Sequence, residues 1–341
     1  MRQIKVLVVE DSLVFRELLA KCLDEDPGIT VVAKARDPFE AREAIMKYKP
    51  DVMTLDIEMP KMDGIEFLKK LMPQYPMPVV MISSLSDKVF EAMNAGAVDF
   101  VAKPANATRE QLEDFMRKEL TVKVKIASIA KLANWKKTEN KPVNQQLDKN
   151  DNLIVAIGAS TGGTEALTDV IKEFKDDIPG VVVVQHMPPK FTEMFAKRLN
   201  EKCWVRVKEA QNGDIVESGC VYIAPGGDAH MQVKNVNEQY QIVIKQGPRV
   251  SGHCPSVDVL FESVAKAAGK NAVGIILTGM GGDGAKGLLA MKQAGARTIG
   301  QDESTCVVYG MPKVAYELGA VEYQEKLPDI ANRTYSILSK M

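Results

Sequence analysis

Short apolar runs alternate with helix-compatible segments through the first 120 residues. Each run stops at a polar residue, and a segment with helical spacing of its apolar positions follows. The predicted strands are Ile4–Val9, Ile29–Ala33, Val52–Leu55, Val79–Ile82 and Asp99–Ala102. Continuous apolar strands that alternate with helices are typical of a parallel sheet covered on both faces. We therefore predict a doubly wound α/β domain of five βα units over residues 1–120.

The second half of the chain, residues 152–341, shows the same alternation with one interruption. Apolar runs predict strands at Leu153–Ile157, Gly180–Gln185, Cys203–Lys208, Val273–Leu277 and Arg297–Gly300. We predict Arg297–Gly300 to be the last interior strand of the sheet. The stretches GDIVESGCVYIAPGGDAHMQV and QYQIVIKQG instead alternate apolar with polar residues and contain turn signals. That pattern predicts an antiparallel hairpin set into a larger α/β domain.

Between these two halves, residues 121–151 form a predicted linker. The segment begins as an amphipathic extension of the last helix and then becomes polar, with Pro142 and many Asn, Gln and Lys residues. We place the domain boundary here.

Composition changes this picture little but excludes several classes of protein. The chain has 341 residues, is 45% hydrophobic and 26% charged, and carries a formal net charge of -1. This balance gives no reason to expect nucleic acid or an anionic membrane as a partner. The five cysteines are odd in number and lack C-x-x-C spacing, so neither a disulfide framework nor a zinc site is predicted. No apolar run approaches the roughly 20 residues that span a bilayer, and the start MRQIKVLVVED is unlike a signal peptide, which predicts a cytoplasmic protein.

Polar side chains stand where the predicted strands of the first domain end. They are Glu10 and Asp11 after the first strand, Asp56 after the third, Ser83 after the fourth and Lys103 after the fifth. Three carboxylates in one crevice need a cation, and oxygen ligands suit Mg²⁺. Such a metal can position a phosphoryl donor against a carboxylate, while a lysine neutralises a phosphoryl oxygen. The alternative is that these residues only form turns and cap helices.

The motifs VVEDS, TLDIEMPKMDGIEFL, MISS and VDFVAKP resemble the receiver domain of two-component response regulators. The resemblance covers about residues 1–120. It implies that a histidine kinase phosphorylates Asp56 and that Glu10, Asp11 and Asp56 hold Mg²⁺. It further implies that Ser83 and Lys103 contact the phosphoryl group and that Phe100 is the aromatic switch. Glu10 is a departure, since aspartate is commoner at that position.

A glycine-rich turn follows the first predicted strand of the second domain. Residues Gly158 to Gly162 match G-x-S-x-G, in which a sharp strand-to-helix turn lifts the hydroxyl of Ser160 clear of the sheet. Two alternatives are a turn that only connects and a phosphate cradle at a helix N-terminus.

A serine nucleophile needs a base and a third group that orients the base. Of three histidines, His186 alone follows a buried strand that should neighbour the serine strand, whereas His230 and His253 lie in loops. Asp283 stands in a glycine-rich segment, Thr278–Gly287, which follows the predicted strand Val273–Leu277 and is called the glycine loop below. Taken singly, His186 could be a solvated loop histidine and Asp283 a turn residue. Together with Ser160 they predict an esterase-type triad in the chain order Ser, His, Asp, which differs from the Ser, Asp, His order of α/β-hydrolases.

The glycine loop also suggests donors for a tetrahedral oxyanion. We predict the backbone N–H of Met280 as one donor and that of Thr161, in the serine turn, as the second. Nucleotide-binding sites fit less well. Gly279–Lys286 misses the P-loop spacing by one residue and lacks the following Ser or Thr, and no acidic residue ends the Gly180–Gln185 strand.

The motifs GASTGG, VVQHMPP, APGG, HCPSVDVLF and LTGMGGDGA resemble the catalytic domain of the chemotaxis protein-glutamate methylesterases. With the receiver, the resemblance covers nearly the whole chain outside the linker. It implies Ser160, His186 and Asp283 as the triad, no cofactor for hydrolysis, and receptor glutamate γ-methyl esters and some receptor glutamines as substrates. We expect a monomeric hydrolase, activated by phosphorylation, that acts in chemotactic adaptation. Two alternatives are a receiver-controlled binding module and a general small-ester hydrolase.

Overall fold

The structure is a computed structural model that describes residues 3–59, 62–84, 88–103, 108–132, 142–143 and 145–341. Contacts divide the chain into two compact units, Met1–Trp135 and Lys136–Met341. Residues 133–141 and 144 of the predicted linker lie outside the described residues. The domain limits at residues 120 and 152 therefore stay a prediction.

A five-stranded parallel sheet forms the centre of the first unit. Its strands are β1 (Ile4–Val9), β2 (Ile29–Ala35), β3 (Val52–Asp56), β4 (Val79–Ser83) and β5 (Asp99–Ala102). They lie in the order β2-β1-β3-β4-β5, which confirms the predicted doubly wound fold. Because every strand is parallel to its neighbours, all five carboxyl ends meet at one edge of the sheet.

Helices follow each strand of this sheet. They are α1 (Leu13–Asp24), α2 (Pro38–Tyr48), α3 (Gly64–Leu71), α4 (Lys88–Ala95) and α5 (Arg109–Phe115). Side chains of Ser12, Asp37, Asp63 and Thr108 accept hydrogen bonds from the first-turn N–H groups of α1, α2, α3 and α5. These caps fix where the helices begin and so fix the length of the loops at the carboxyl edge.

The last helix of the first unit contains a π-helical turn. After α5 the chain forms this turn at Met116–Leu120, and α6 (Thr121–Ser128) follows directly. The N–H of Thr121 donates to the carbonyl five residues back. The predicted helical extension into the linker is thus present, and Val124 and Ala127 on α6 are fully buried.

The second unit contains a larger parallel sheet and a separate hairpin. Its strands are β6 (Ile154–Ala159), β7 (Gly180–Gln185), β8 (Arg206–Glu209), β9 (Cys220–Ile223), β10 (Ala229–Val236), β11 (Gln239–Gln246), β12 (Ala272–Ile276), β13 (Arg297–Gln301) and β14 (Tyr323–Glu325). Seven of them form a parallel sheet in the order β14-β13-β12-β6-β7-β9-β8. Strands β10 and β11 pair antiparallel, as predicted. His230, predicted to lie in a loop, is instead the second residue of β10.

Two predictions about these strands are wrong in detail. Cys220–Ile223 does not belong to the hairpin but pairs parallel with β7 and β8. Its four residues are all buried, as is typical of an interior strand of a parallel sheet. The strand predicted at Cys203–Lys208 begins only at Arg206, since Cys203 ends the preceding helix.

Six α-helices complete the second unit in the described part of the chain. They are α7 (Gly163–Ile171), α8 (Phe191–Lys202), α9 (Val257–Ala268), α10 (Ala285–Gln293), α11 (Met311–Glu317) and α12 (Leu327–Leu338). Helix α9 packs between the hairpin and the sheet, and its buried face contributes Val257, Leu260, Phe261 and Val264 to the core. Among all described helices, none is both long and apolar enough to cross a bilayer.

Candidate functional site

Ser160, His186 and Asp283 follow three adjacent strands of the large sheet. Strand β6 lies between β12 and β7, and the last registered pair of β6 and β7 is Ala159 with Gln185. Ser160 and His186 are the next residues along these two strands. The N–H of Ser160 donates to Thr278 O at 3.0 Å, which ties the serine turn to the chain leaving β12. The structure therefore brings the three predicted residues to one edge of the sheet.

The serine turn is closed by a residue that has to be glycine. Gly162 has a φ of 76° at the start of α7, and a Cβ there would lie 2.7 Å from the Cβ of Val307. The N–H of Gly163 donates to Ser160 O at 2.7 Å. The serine thus lies in a tight turn just before a helix, as the G-x-S-x-G pattern predicts.

His186 and Asp283 form a buried hydrogen-bonded pair. His186 Nε2 lies 2.8 Å from Asp283 Oδ2, and the side chains are 9% and 1% exposed. A carboxylate only accepts, so Nε2 carries the proton and donates. The other ring nitrogen, Nδ1, is buried and makes no hydrogen bond to any described residue. A neutral His186 therefore keeps a lone pair on Nδ1, the atom that a general base needs.

Asp283 accepts hydrogen bonds from the start of α9 as well as from His186. Ser256 Oγ donates to Oδ1 at 2.7 Å, Val257 N to Oδ2 at 2.8 Å and Asp258 N to Oδ1 at 3.1 Å. Burial raises the pKa of Asp283, but the hydrogen bonds from His186, Ser256 and Val257 outweigh it and the pKa is lowered overall. Asp283 is therefore ionised, and it can hold a protonated His186.

Ser256 is the donor whose removal tests this arrangement. A Ser256→Ala variant should lose about tenfold in kcat, because hydrogen bonds to charged groups contribute about 1.5–3 kcal/mol. Initial rates of ester hydrolysis measure the effect. Ser263→Ala on the same helix is the control: its hydroxyl bonds Val233 N and Leu260 O and is remote from Asp283, so kcat should not change. A Ser256→Ala enzyme with wild-type kcat would contradict the role given to this hydroxyl.

The two predicted oxyanion donors belong to backbone segments that lie close to Ser160. Thr161 is buried in the serine turn, and its carbonyl accepts from Thr278 Oγ1 at 3.1 Å. Met280 follows Gly279, at which a Cβ would lie 2.7 Å from the Cβ of Ser160. Both backbone segments thus lie next to Ser160, and their role as oxyanion donors stays a prediction.

A second cluster lies at the carboxyl edge of the first sheet. Lys103 Nζ donates to Asp56 Oδ2 at 2.9 Å and to Glu10 Oε2 at 3.0 Å. Carboxylate oxygens of Glu10, Asp11 and Asp56 all lie within 4.8 Å of one another. Glu10 and Asp56 are buried, while Asp11 is exposed. The structure thus brings together four residues that the sequence placed at the ends of separate strands.

The electrostatics of this cluster fit a bound cation. Burial, reinforced by the charge of Asp56, raises the pKa of Glu10 to about 7. Burial also raises the pKa of Asp56, and Lys103 offsets this only in part. Burial lowers the pKa of Lys103, but its two carboxylate partners raise it overall. One ammonium does not neutralise three carboxylates, and the oxygen-only donor set suits a hard cation such as Mg²⁺.

Ser83 is the last residue of β4, and Phe100 is the second residue of β5. Asp56 is in register with Ile82, so Ser83 lies one residue further toward the carboxyl edge, and its Oγ donates to Ser84 O at 2.7 Å. Phe100 is buried, and Lys123 of α6 donates to its carbonyl oxygen at 2.6 Å. The roles of these residues as phosphoryl contact and switch stay predictions.

Comparison with known proteins assigns this architecture to a family. Residues 155–334, more than half of the chain, match the family model of the CheB methylesterase. A protein of Syntrophomonas wolfei named protein-glutamate methylesterase/protein-glutamine glutaminase 2 is 57% identical over 341 residues, which cover 100% of this chain and 99% of the relative. The chain belongs to the CheB methylesterase family.

Other comparisons agree with this membership. Residues 6–116 match the response regulator receiver domain. A Syntrophotalea carbinolica protein-glutamate methylesterase/protein-glutamine glutaminase is 50% identical, with 99% of each chain covered. The crystal structure of the Thermotoga maritima CheB methylesterase catalytic domain is 38% identical and has a TM-score of 0.53, covering 54% of this chain and 98% of that domain. Both family resemblances seen in the sequence are thereby confirmed.

Three residues around the CheB-family site were missed by reasoning from the sequence. Ser256 holds Asp283, His253 stacks on His186, and Gln185 Nε2 donates to the carbonyl oxygens of Ser160 and His186 at 3.0 and 3.1 Å. Ser256 and His253 both lie in the HCPSVDVLF motif, which therefore carried a usable signal. Gln185 is the last residue of β7, and nothing in its pattern distinguishes it from an ordinary strand end.

Proposed function

We propose that the chain hydrolyses glutamate γ-methyl esters on chemoreceptors, and deamidates certain receptor glutamines, with Ser160, His186 and Asp283 as its triad. The observation that carries the proposal is the His186–Asp283 hydrogen bond at Nε2, which leaves Nδ1 without a hydrogen-bond partner among the described residues, at the end of the strand beside the serine strand. The relatives named above support the substrate class. Hydrolysis of this kind, in the cytoplasm, would reset receptors during chemotactic adaptation.

The chemistry follows from the two ring nitrogens of His186. Nδ1 takes the proton of Ser160 Oγ as that oxygen attacks the ester carbonyl carbon, and Asp283 stabilises the resulting imidazolium through Nε2. The N–H groups of Met280 and Thr161 are the proposed donors to the oxyanion. The tetrahedral intermediate collapses, Nδ1 gives its proton to the leaving methoxide, and methanol departs. A water molecule then cleaves the acyl-serine, giving a proton to Nδ1 that returns to Ser160 Oγ.

Among the described residues, no hydrogen bond joins Ser160 Oγ to His186 Nδ1. Catalytic hydrogen bonds are often long or poorly aligned in the absence of substrate and tighten when it binds. The site is also accessible to a protein substrate, because Ser160 is half-buried and Met280 is 41% exposed. A glutamate side chain on a receptor helix can therefore reach the serine.

The receiver cluster gives the enzyme its proposed regulation. Asp56 is the proposed acceptor of a phosphoryl group from a chemotaxis histidine kinase, with Mg²⁺ held by Glu10, Asp11 and Asp56. When bound, the ion supplies positive charge that neutralises the phosphoryl oxygens. Lys103 contacts the phosphoryl group, and Ser83 and Phe100 change arrangement once it is present.

One experiment separates the proposed function from its alternatives. Methanol release is measured from methylated receptor membranes and compared with hydrolysis of a nitrophenyl ester. We expect methanol release from the methylated receptor, at a rate that a small phosphodonor with Mg²⁺ increases. Hydrolysis of the nitrophenyl ester without methanol release would instead indicate a general esterase. Failure of both reactions would indicate a binding module.

A fragment of residues 150–341 tests whether the receiver restrains the esterase. The second unit has its own core, and the Thermotoga maritima catalytic domain has been solved as a separate chain. The fragment should demethylate receptors about tenfold faster than the unphosphorylated full-length protein, a difference that requires only about 1.4 kcal/mol. It should also be indifferent to phosphodonor. A fragment slower than the unphosphorylated whole would mean that the receiver activates rather than restrains.

A further inference from the structure

The imidazole of His253 lies flat against the imidazole of His186. The ring centroids are 3.7 Å apart and the planes differ by 7°. We propose that His253 is a positioning residue that fixes the plane of the His186 ring and favours its imidazolium form. This inference rests on the proposed hydrolytic function, in which His186 becomes protonated when Ser160 attacks.

The geometry of the stack suits a charged ring better than two neutral rings. Neutral aromatic rings prefer offset or edge-to-face contacts, with centroids about 4.5–7 Å apart, because both π faces are negative. A cation above a ring face is instead attracted to it. Asp283, 2.8 Å from His186 Nε2, determines that His186 is the ring that takes the charge. The stack therefore stabilises a state formed during the reaction more than the resting state, which is the condition for a rate effect.

A rigid turn carries His253. Val250 and His253 exchange both backbone hydrogen bonds, at 3.0 and 2.9 Å. Between them Ser251 and Gly252 have φ values of 52° and 84°. Positive φ at both central residues is the signature of a tight two-residue hairpin turn. The ring of His253 is thus presented by a short closed turn rather than by an open loop.

His230 fixes both ends of the loop that contains this turn. Its side chain is buried, Nε2 donates to Pro248 O at 2.9 Å, and Nδ1 accepts from Ser256 N at 3.1 Å. The same loop ends in the Ser256 hydroxyl that donates to Asp283. One loop therefore supports two members of the triad, His186 through a ring contact and Asp283 through a hydrogen bond.

The ring contact supplies a restraint that Asp283 alone cannot give. A single hydrogen bond at Nε2 fixes one atom of the imidazole but leaves the ring able to tilt about it. A flat neighbour removes the tilt and so keeps Nδ1 aimed in one direction. Reactions of this kind lose rate steeply when a reacting atom is misplaced by about 1 Å.

The test replaces His253 with leucine, which fills space without a π face, and with phenylalanine, which restores the face. Nitrophenyl ester hydrolysis is the assay, so the result does not depend on the receptor substrate. His253→Leu should lower kcat about tenfold, equivalent to about 1.4 kcal/mol, with KM little changed. His253→Phe should recover kcat to within about threefold of wild type, since phenylalanine also attracts cations. Lys234→Ala, on the exposed end of β10, should match wild type.

Each other outcome overturns the proposal. Wild-type kcat in His253→Leu would show that the stack has no effect on turnover. Equal loss in the leucine and phenylalanine variants, with unchanged urea midpoints, would show that a ring face is not what matters. A raised KM with normal kcat would make His253 a substrate contact. If His253→Leu does not fold, His253→Gln takes its place in the same comparison. Ser160→Ala, assayed in parallel, tests the proposed function separately.

Discussion

A Ser160→Ala variant is expected to turn over methylated receptor on the order of 10³-fold or more slowly than the wild type. Members of a triad act as a unit, so removing the nucleophile leaves only the contributions of the oxyanion site and of substrate binding. The structure supports so large an effect because His186 Nδ1, the available base, then has no hydroxyl to deprotonate. Initial rates of methanol release, at saturating receptor, measure the loss.

The other triad members provide a graded comparison. His186→Ala should be as damaging as Ser160→Ala, whereas Asp283→Asn should be less so because the base stays in place. Asparagine has one acceptor oxygen in place of two, so the Asp283→Asn variant cannot accept the hydrogen bonds of both Ser256 and Val257 as aspartate does. Its unfolding midpoint in urea should therefore fall as well. A Ser160→Ala protein that keeps a tenth of the wild-type rate would rule out this nucleophile.

An Asp56→Asn variant is expected to take up no phosphoryl group from a small phosphodonor in the presence of Mg²⁺. The amide is a far poorer nucleophile than a carboxylate, and the substitution also removes one of the three clustered negative charges. Incorporation of labelled phosphate into the full-length protein measures the effect, and the base-labile bond of an aspartyl phosphate identifies the product.

The matched control for this variant is Asp51→Asn. Asp51 immediately precedes β3, the strand that ends at Asp56. Its carboxylate accepts a hydrogen bond from Lys5 N at 2.9 Å, at the end of the strand opposite the carboxyl edge. This variant should be labelled normally. Labelling of Asp56→Asn at the wild-type level would mean that another residue is the acceptor.

The parallel strands explain why so much of both sites could be predicted from the sequence. When a strand is a continuous apolar run, the first polar residue after the run marks its carboxyl end. A parallel sheet brings these strand ends together at one edge. Glu10, Asp56 and Lys103 were found in this way, and the structure joins them by hydrogen bonds. Ser160 and His186 were found similarly, because β6 and β7 are neighbours.

Contacts made by loops could not be predicted in this way. His253 reaches His186 only because a tight turn and His230 fix a loop whose path leaves no periodic signal in the sequence. Val257 N and Asp258 N donate to Asp283 because the start of α9 lies against the glycine loop. Tertiary packing sets that position, and the local sequence of neither segment reveals it. Strand β9 was assigned to the hairpin because a short apolar segment does not reveal which sheet it joins.

The π-helical turn before α6 has a consequence for the phase of the helix that follows. Each residue advances an α-helix by about 100°, so one additional residue in a turn rotates everything after it by about that angle. With this rotation, Val124 and Ala127 face the interior and Lys123 reaches the carbonyl of Phe100 and the carboxylate of Asp99. The side of α6 that contacts the receiver sheet is therefore set by residue count at Met116–Leu120, as well as by the apolar pattern of α6 itself.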